Sequence, residues 1–280
     1  MPKFETPKPI VLTLGLLVGS VDVVASDRAD TVVEVRPSDK SKDRDVRSAE
    51  KVKVEYANGQ LLIKSSEKWK GLFGRPGSID VTVELPTRSQ VRGTVEFGTV
   101  ACDGILGDAD LKTTGSIRLD QVGALKVMTG GGDVTVGHAT GTTTVTTATG
   151  EVRIGETDAT TVVTSSNGSI WIGELTGELR AKLANGGLSV DRVAADLTVT
   201  SANGSLRIGE LSRGSVTFKT SVGGIDIGIR EGTATWLDMY SAAGRVNNRL
   251  DVTGEPNGAD ADTAKVYART QFGDITIRRA

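Results

Sequence analysis

The chain has 280 residues, of which 38% are hydrophobic and only 4% aromatic, and its formal net charge is −2. A net charge this close to zero provides no long-range field to attract nucleic acid or an anionic membrane, so we predict no nucleic-acid partner. The single cysteine, Cys102, excludes an internal disulfide. Few aromatic residues beside 35 glycines indicate strands that pack a core of small aliphatic side chains.

The first apolar segment, KPIVLTLGLLVG at residues 8–19, allows two interpretations. A basic residue, an apolar run and the following VVAS are typical of a signal peptide, and residues 1–26 would then direct the protein to the envelope or the medium. However, GSVDVVA at residues 19–25 has the pattern of GSIWIGE at residues 168–174, and a removable signal has no reason to carry the folded domain's motif. We therefore predict that this segment forms the first strands of a cytoplasmic protein.

No apolar run reaches the ~20 residues that span a bilayer. Any association with a membrane would therefore not use a transmembrane helix.

Two stretches before the regular part of the chain depart from a strand pattern. The charged stretch at residues 37–51 predicts a loop with a short helix. The basic stretch SSEKWKGLFGRPG contains Trp69, Leu72 and Phe73. These side chains either plug a cap of the fold or contact a protein partner or a membrane surface.

The central part of the chain repeats one phrase, as in SSNGSIWIGEL and SANGSLRIGEL. The glycines that open the phrases are Gly98, Gly115, Gly132, Gly150, Gly168, Gly186, Gly204, Gly223 and Gly244. Their spacing stays near 18 residues, which is typical of stacked repeats. Apolar pairs at a spacing of two, such as Ile170 with Ile172 and Leu179 with Ala181, predict two short strands in each repeat.

This pattern predicts an all-β, single-stranded β-solenoid of about ten coils, with irregular capping segments at both ends. We predict one domain over residues 1–280, with an N-terminal cap and irregular coils at 1–90, regular repeats at 91–248, and a loop and C-terminal closing coil at 249–280. The caps would cover strand edges that could otherwise pair with other chains. The column Asn167, Asn185 and Asn203 predicts an amide ladder.

The residues that usually carry chemistry are scarce. His138 is the only histidine, and we expect it at an exposed corner. Cys102 occupies the repeat position of Ile172, so we expect it in the core. One histidine and one cysteine cannot form a typical structural zinc site. We therefore predict no catalytic residue, no cofactor and no metal.

A carbohydrate-active enzyme is a remote alternative, because some sugar-cleaving enzymes are also β-helical. Glycosidases need a pair of carboxylates. The outward column three residues after each glycine contains only one carboxylate, Asp226.

Exposed aromatic residues give the best indication of binding. Trp171 points outward by alternation with its neighbours, and Trp236 and Tyr240 point outward by alternation with Leu237 and Met239. The predicted partner contacts are Trp69, Leu72, Phe73, Trp171, Trp236 and Tyr240. The sequence thus predicts a scaffold that binds a protein partner, and its open ends can also associate with each other.

The phrases NG-x-[LI]-x-[IV]-G-E and the ending FGDITIRR resemble the DUF4097 family over essentially the whole chain. That family is also known by the names "putative adhesin" and Toastrack, and the chain looks most like its soluble actinobacterial members. The resemblance implies a β-helical domain without an established enzymatic activity. Some relatives carry membrane segments and are linked to cell-envelope stress, whereas others are named adhesins, so a secreted or envelope-attached adhesin that binds glycans is the alternative function.

Overall fold

The computed structural model describes residues 1–65, 76–250 and 262–280. The chain divides into two compact units, unit 1 (Met1–Thr140) and unit 2 (Gly141–Ala280). Strands make up almost all of its regular structure, most of them paired in parallel, so the predicted all-β solenoid class is confirmed. Within these ranges, no helix is both long and apolar enough to cross a membrane.

The described part of unit 1 contains one helix and strands β1 to β11. The elements are β1 (Lys3–Glu5), β2 (Val11–Ser26), β3 (Asp30–Pro37), α1 (Asp43–Glu50), β4 (Val52–Ala57), β5 (Gln60–Ser65), β6 (Ile79–Pro86), β7 (Gln90–Ile105), β8 (Ala109–Thr113), β9 (Ile117–Val122), β10 (Leu125–Thr129) and β11 (Val134–Ala139). The short helix predicted within residues 37–51 is therefore present.

Strand β2 lies inside the stack of unit 1, although it comes almost first in the chain. It pairs in parallel with β5 and β6 along one edge and with β7 along the other. Its inward side chains Leu12, Val21 and Val23 are completely buried. The N-terminal apolar segment is thus a strand of the fold, as the repeat pattern predicts.

Antiparallel strands and the helix cover the outermost coil of unit 1, which β5 and β6 form. Strand β3 pairs antiparallel with β6, and β4 pairs antiparallel with β5. Helix α1 is attached through two buried side chains: Asp45 accepts a hydrogen bond from the Ser78 amide at 3.1 Å, and the Ser48 hydroxyl accepts one from the Gly77 amide at 3.1 Å. These elements satisfy edge groups that a bare coil would expose.

The β4–β5 connection is built differently from the corners of the repeat, although it also carries an Asn-Gly pair. Asn58 and Gly59 both have positive φ, 51° and 74°, and the two strands form a tight antiparallel hairpin. Two consecutive left-handed residues reverse the chain direction, as in a type I′ turn. In the repeat corners, only the glycine of each Asn-Gly pair has positive φ, so the chain bends without reversing.

The described part of unit 2 contains strands β12 to β25. They are β12 (Thr143–Thr149), β13 (Val152–Thr157), β14 (Thr161–Asn167), β15 (Ile170–Leu175), β16 (Leu179–Asn185), β17 (Leu188–Val193), β18 (Leu197–Asn203), β19 (Leu206–Leu211), β20 (Gly214–Val222), β21 (Ile225–Ile229), β22 (Ala234–Ala243), β23 (Val246–Asn248), β24 (Thr263–Phe272) and β25 (Ile275–Arg279).

These strands form two parallel ladders. Ladder A runs in the order β12, β14, β16, β18, β20, β24, β22, and ladder B runs in the order β13, β15, β17, β19, β21, β25, β23. The repeated glycine marks the corner between them. At Gly186 φ is +134°, and an added Cβ would lie 2.1 Å from the Gly168 carbonyl oxygen. Only glycine lets successive corners stack this closely.

The last two coils are stacked in an order that differs from the chain order. Strand β24 lies between β20 and β22, and β25 lies between β21 and β23. The C-terminal coil predicted to close the stack is therefore one coil inside it. Hydrophobic burial explains this order, because Ile277 is fully buried whereas Asn248, which occupies the matching position in the outermost coil, is exposed.

Candidate functional site

Exposed apolar side chains are concentrated on the last strands of unit 2. Six of the eleven large exposed hydrophobic side chains found among the described residues lie in strands β20 to β24. We call these six the terminal-coil patch; they are Val222, Trp236, Tyr240, Val246, Tyr267 and Phe272. Because isolated apolar side chains are normal on a surface but grouped ones are not, this patch is the candidate interaction site.

The aromatic centre of the patch follows from strand alternation in β22 and β24. Trp236 and Tyr240 lie on the outer face of β22, with exposed fractions of 51% and 58%. Tyr267 of β24 pairs in register with Asp238, which places its ring beside Trp236. The two ring centroids are 4.9 Å apart at an interplanar angle of 55°, a favourable tilted arrangement.

Charged side chains lie around the Trp236 and Tyr267 rings. Arg269 of β24 lies 2.7 Å from the Asp238 carboxylate, and its Nη1 donates to the Asp238 carbonyl oxygen at 3.0 Å. Both side chains are more than one-third exposed, so this pair mainly orients its members and adds little stability. Lys265 of β24 pairs in register with Trp236, and Lys219 of the neighbouring β20 pairs in register with Arg269. Positive charges therefore outnumber the single Asp238 carboxylate among these four charged residues.

A shallow cleft of about 390 Å³ lies beside Tyr267. It is lined by Thr217, Lys219, Asp238, Tyr267 and Arg269. Hydroxyl, ammonium, carboxylate and guanidinium groups thus meet an aromatic face, which suits recognition of a polar group.

The structure brings only two of the six predicted contact residues together. Trp236 and Tyr240 share the outer face of β22. Trp171 lies on β15 in ladder B, is half-buried, and donates from Nε1 to the Asp191 carboxylate at 3.3 Å. The other three predicted contacts, Trp69, Leu72 and Phe73, lie outside the described residues.

Sequence reasoning missed Tyr267 and Phe272. The signal for Tyr267 was present, because it stands between two apolar residues of KVYARTQF and must point outward by alternation. What the sequence could not show is the insertion of β24 beside β22, which brings Tyr267 against Trp236.

The two residues that the sequence offers for chemistry, Cys102 and His138, both lie within strands. Cys102 is fully buried as predicted, and burial raises the pKa of its thiol to about 12. The predicted exposed corner for His138 is wrong, because His138 is half-buried within β11 and pairs in register with Gln121. The described ranges contain no group of three or more His, Cys, Asp or Glu side chains that could hold a metal ion.

The predicted amide ladder is confirmed. Asn185 Nδ2 donates to Asn167 Oδ1 at 3.0 Å, and Asn203 Nδ2 donates to Asn185 Oδ1 at 3.0 Å. Next in this column come Val222 and Phe272, which are apolar and exposed. The surface therefore changes from polar to apolar where the terminal-coil patch begins.

Comparisons with solved structures find chains of low sequence identity. The chain is similar to a "putative adhesin" from Parabacteroides merdae ATCC 43184, with 11% identity, a TM-score of 0.46, and coverage of 81% of this chain and 94% of that chain. A "putative adhesin" from Bacteroides fragilis NCTC 9343 has 13% identity, a TM-score of 0.36, and coverage of 99% and 95%. A "putative lipid binding protein" from Parabacteroides distasonis ATCC 8503 has 13% identity, a TM-score of 0.35, and coverage of 100% and 95%.

No curated protein matches the chain in sequence. The family model described as Toastrack DUF4097 matches residues 14–278, which is nearly the whole chain. Together with the stacked parallel coils, this match shows that the protein belongs to the DUF4097 (Toastrack) family.

Proposed function

We propose that this protein is a non-catalytic scaffold that binds a protein partner through the terminal-coil patch. The observation that carries the proposal is the concentration of exposed aromatic side chains on β22 and β24. Tyrosine, tryptophan and arginine are enriched at the centres of protein interfaces, and here Trp236, Tyr267 and Arg269 lie on adjacent strands.

The extent of the patch favours a protein partner over a small ligand. It continues from the aromatic rings to the corner of the coil, where Phe272 is 59% exposed and Val222 is 48% exposed. A large apolar surface beside the charged groups Asp238, Arg269 and Lys219 matches the mixed composition of protein interfaces.

An affinity purification from the organism's own cells tests this proposal. We expect the tagged chain to retain a stoichiometric protein partner and the Trp236→Ala/Tyr267→Ala variant to lose it. Phe97→Ala is the matched control, because Phe97 is an exposed aromatic residue of unit 1. The partner, once identified, is then purified and mixed with the wild type and with each of the two variants. If all three chains retain the partner equally, the contact lies outside the terminal-coil patch.

Glycan binding is the second candidate, and the cleft beside Tyr267 favours it. Sugar rings stack on aromatic faces, and Asp238, Lys219 and Arg269 could hydrogen-bond hydroxyl groups. Saturable binding on a glycan array that Tyr267→Ala abolishes, with no protein retained from cells, would replace the scaffold by an adhesin. Turnover of a polysaccharide by the purified chain would overturn the non-catalytic assignment.

A cytoplasmic location is supported by the place of β2 in unit 1. Removal of residues 1–26 would take away a strand that pairs along both edges and carries the fully buried Leu12 and Val21. N-terminal sequencing of the protein from fractionated cells checks this. A mature chain that begins after residue 26 would favour the secreted or envelope alternative. A link to cell-envelope stress rests on the family resemblance alone.

A further inference from the structure

The outer edge of β22 is the least protected strand edge in unit 2. β22 has ten residues and pairs only with β24 among the described residues. Natural edges are usually guarded by shortness, lysine, proline or a bulge. β23, the other outermost strand, is three residues long, whereas β22 has no lysine or proline and a single charged residue, Asp238.

The backbone of β22 points hydrogen-bonding groups at this edge. The Ala234 amide donates back to the Asp262 carbonyl oxygen at 2.9 Å, so the even-numbered residues that follow face β24. Leu237 and Met239 therefore direct their N–H and C=O groups away from the stack. The residue equivalent to Leu237 three coils earlier in the chain, Leu179, donates to the Asp196 carbonyl oxygen of the next coil at 2.9 Å.

The exposure of the side chains agrees with an edge of β22 that no described strand covers. Leu237 and Met239 occupy inward positions, yet both are partly exposed, whereas Val266 and Ala268 beside them on β24 are fully buried. A further strand on β22 would remove this apolar surface from water and pair the backbone groups at the same time.

The pattern of β22 is self-complementary about Asp238. Its outer face reads Trp236, Asp238, Tyr240, and its inner face reads Leu237, Met239. In an antiparallel pair of two such strands centred on Asp238, tryptophan would face tyrosine and leucine would face methionine. Because Leu237 and Met239 carry the outward backbone groups, they form the hydrogen-bonded pairs, and the aromatic residues take the closer non-hydrogen-bonded positions.

Charge permits this register. The two Asp238 side chains would face each other across the axis, but each lies 2.7 Å from an Arg269 of its own chain, so the four groups are neutral together. Unit 1 also contains the same kind of junction, because β3 and β4 close its parallel stack by antiparallel pairing on β6 and β5.

We propose that β22 pairs antiparallel with β22 of a second copy of this chain, giving a closed two-fold dimer centred on Asp238. The inference rests on the proposed function, since it names one protein partner for the patch. The dimer brings Trp236 of each copy against Tyr240 of the other on the outer face of the joined sheet, and it leaves Phe272 and Val222 accessible.

Cysteine cross-linking tests the register. Asp238→Cys places two thiols on the two-fold axis, with Cα atoms about 4.5 Å apart, which a disulfide can span. We expect a covalent dimer under mild oxidation. Tyr240→Cys is the matched control and should not cross-link, because it faces Trp236 of the other copy. Cys102 is fully buried and does not interfere. Equal cross-linking of both variants, or none, would overturn the register.

Sedimentation of the full chain tests the dimer itself. We expect a dimer for the wild type and for Met239→Ala, and at least a tenfold weaker dimer for Met239→Pro, which removes an outward N–H without touching the bonds to β24. A folded wild type that stays monomeric, or forms open-ended polymers, would overturn the inference. If such a monomer still retains a different protein in the purification, the proposed function stands without it. If Met239→Pro fails to fold, the Asp238→Cys result decides.

Discussion

The outermost coils of the two units end differently. In unit 1, β3 and β4 reverse direction and cover β6 and β5. The other edge of β4, which no described strand pairs with, has six residues that include Lys53 and Glu55. In unit 2, the described residues leave β22 with ten residues and one charge at its outer edge. One coil is closed by its own chain, and the other has the chemistry of a docking edge. A parallel stack can thus end in a covered edge or in an edge that no described strand covers, and only the second kind leaves backbone groups for the pairing that we propose.

Corner glycines give the largest expected contrast between a stacked coil and a cap. An added Cβ at Gly19 would lie 1.9 Å from the Ile79 carbonyl oxygen, whereas at Gly59 in the cap hairpin it meets nothing within 4 Å. We expect Gly19→Ala to lower the free energy of unfolding by roughly 3–5 kcal/mol and Gly59→Ala by about 1 kcal/mol. Urea unfolding measures both. Similar costs would mean that corners relax freely.

The same substitution at an inner and an outer strand gives the next contrast. Leu12 of β2 is completely buried, whereas Leu237 of β22 is partly exposed. We expect Leu12→Ala to cost about 3 kcal/mol and Leu237→Ala less than about 1 kcal/mol in dilute protein. Urea unfolding at two protein concentrations checks this. The cost at Leu237 should increase with concentration if β22 pairs with a second copy, and a constant small cost would argue against that pairing.

The attachment of the cap depends on a buried carboxylate. Asp45 is 3% exposed and accepts the Ser78 amide at 3.1 Å. Asp45→Ala leaves that amide without its partner, so we expect a loss of about 1–3 kcal/mol of stability. Glu50→Ala, at an exposed position of the same helix, is the control and should change stability by less than about 0.5 kcal/mol. Thermal unfolding distinguishes the two, and equal effects would show that α1 is not anchored through Asp45.

The smallest expected effect is a pH dependence at the first strand. A hydrogen bond from Arg28, and then one from Lys3, lowers the pKa of Asp30 to about 2. Because the folded pKa is below the unfolded value, the contribution of this carboxylate is present above about pH 4 and is lost as the pH falls toward 2. The hydrogen-exchange protection factors of the β1 and β3 amides, measured against the intrinsic exchange rate at each pH, should fall in that window. Asp30→Asn should remove the pH dependence, and an unchanged profile would exclude this ion pair as its cause.

The repeat explains how much of the fold could be predicted. Glycines at a spacing of 17 to 21 residues and apolar pairs at a spacing of two reflect local requirements, namely a tight corner and one buried strand face. These requirements are the same in every coil, so they identify β12 to β21 and the buried position of Cys102. They also identified β2, whose Gly19 pairs in register with Gly98.

The features that could not be predicted from the sequence are those that depend on which strands pair with each other. The same Asn-Gly pair forms a hairpin turn at Asn58 but a corner of the stacked coils at Asn185. At the corner, Asn185 hydrogen-bonds to asparagines in the coils before and after it. Likewise, the insertion of β24 depends on the relative burial of Ile277 and Asn248 rather than on any local signal. The pairing of Tyr267 with Trp236 follows from that insertion and was therefore missed.

The position of β2 and β24 one coil inside their stacks has a mechanical consequence. Each strand is hydrogen-bonded along both edges. A force along either strand would therefore not peel it away one hydrogen bond at a time, as it would an edge strand. It would have to shear two parallel ladders at once, and cooperative shear resists force better than peeling. Tension on β2 or β24 should thus be shared with the strands on both sides before either strand comes free.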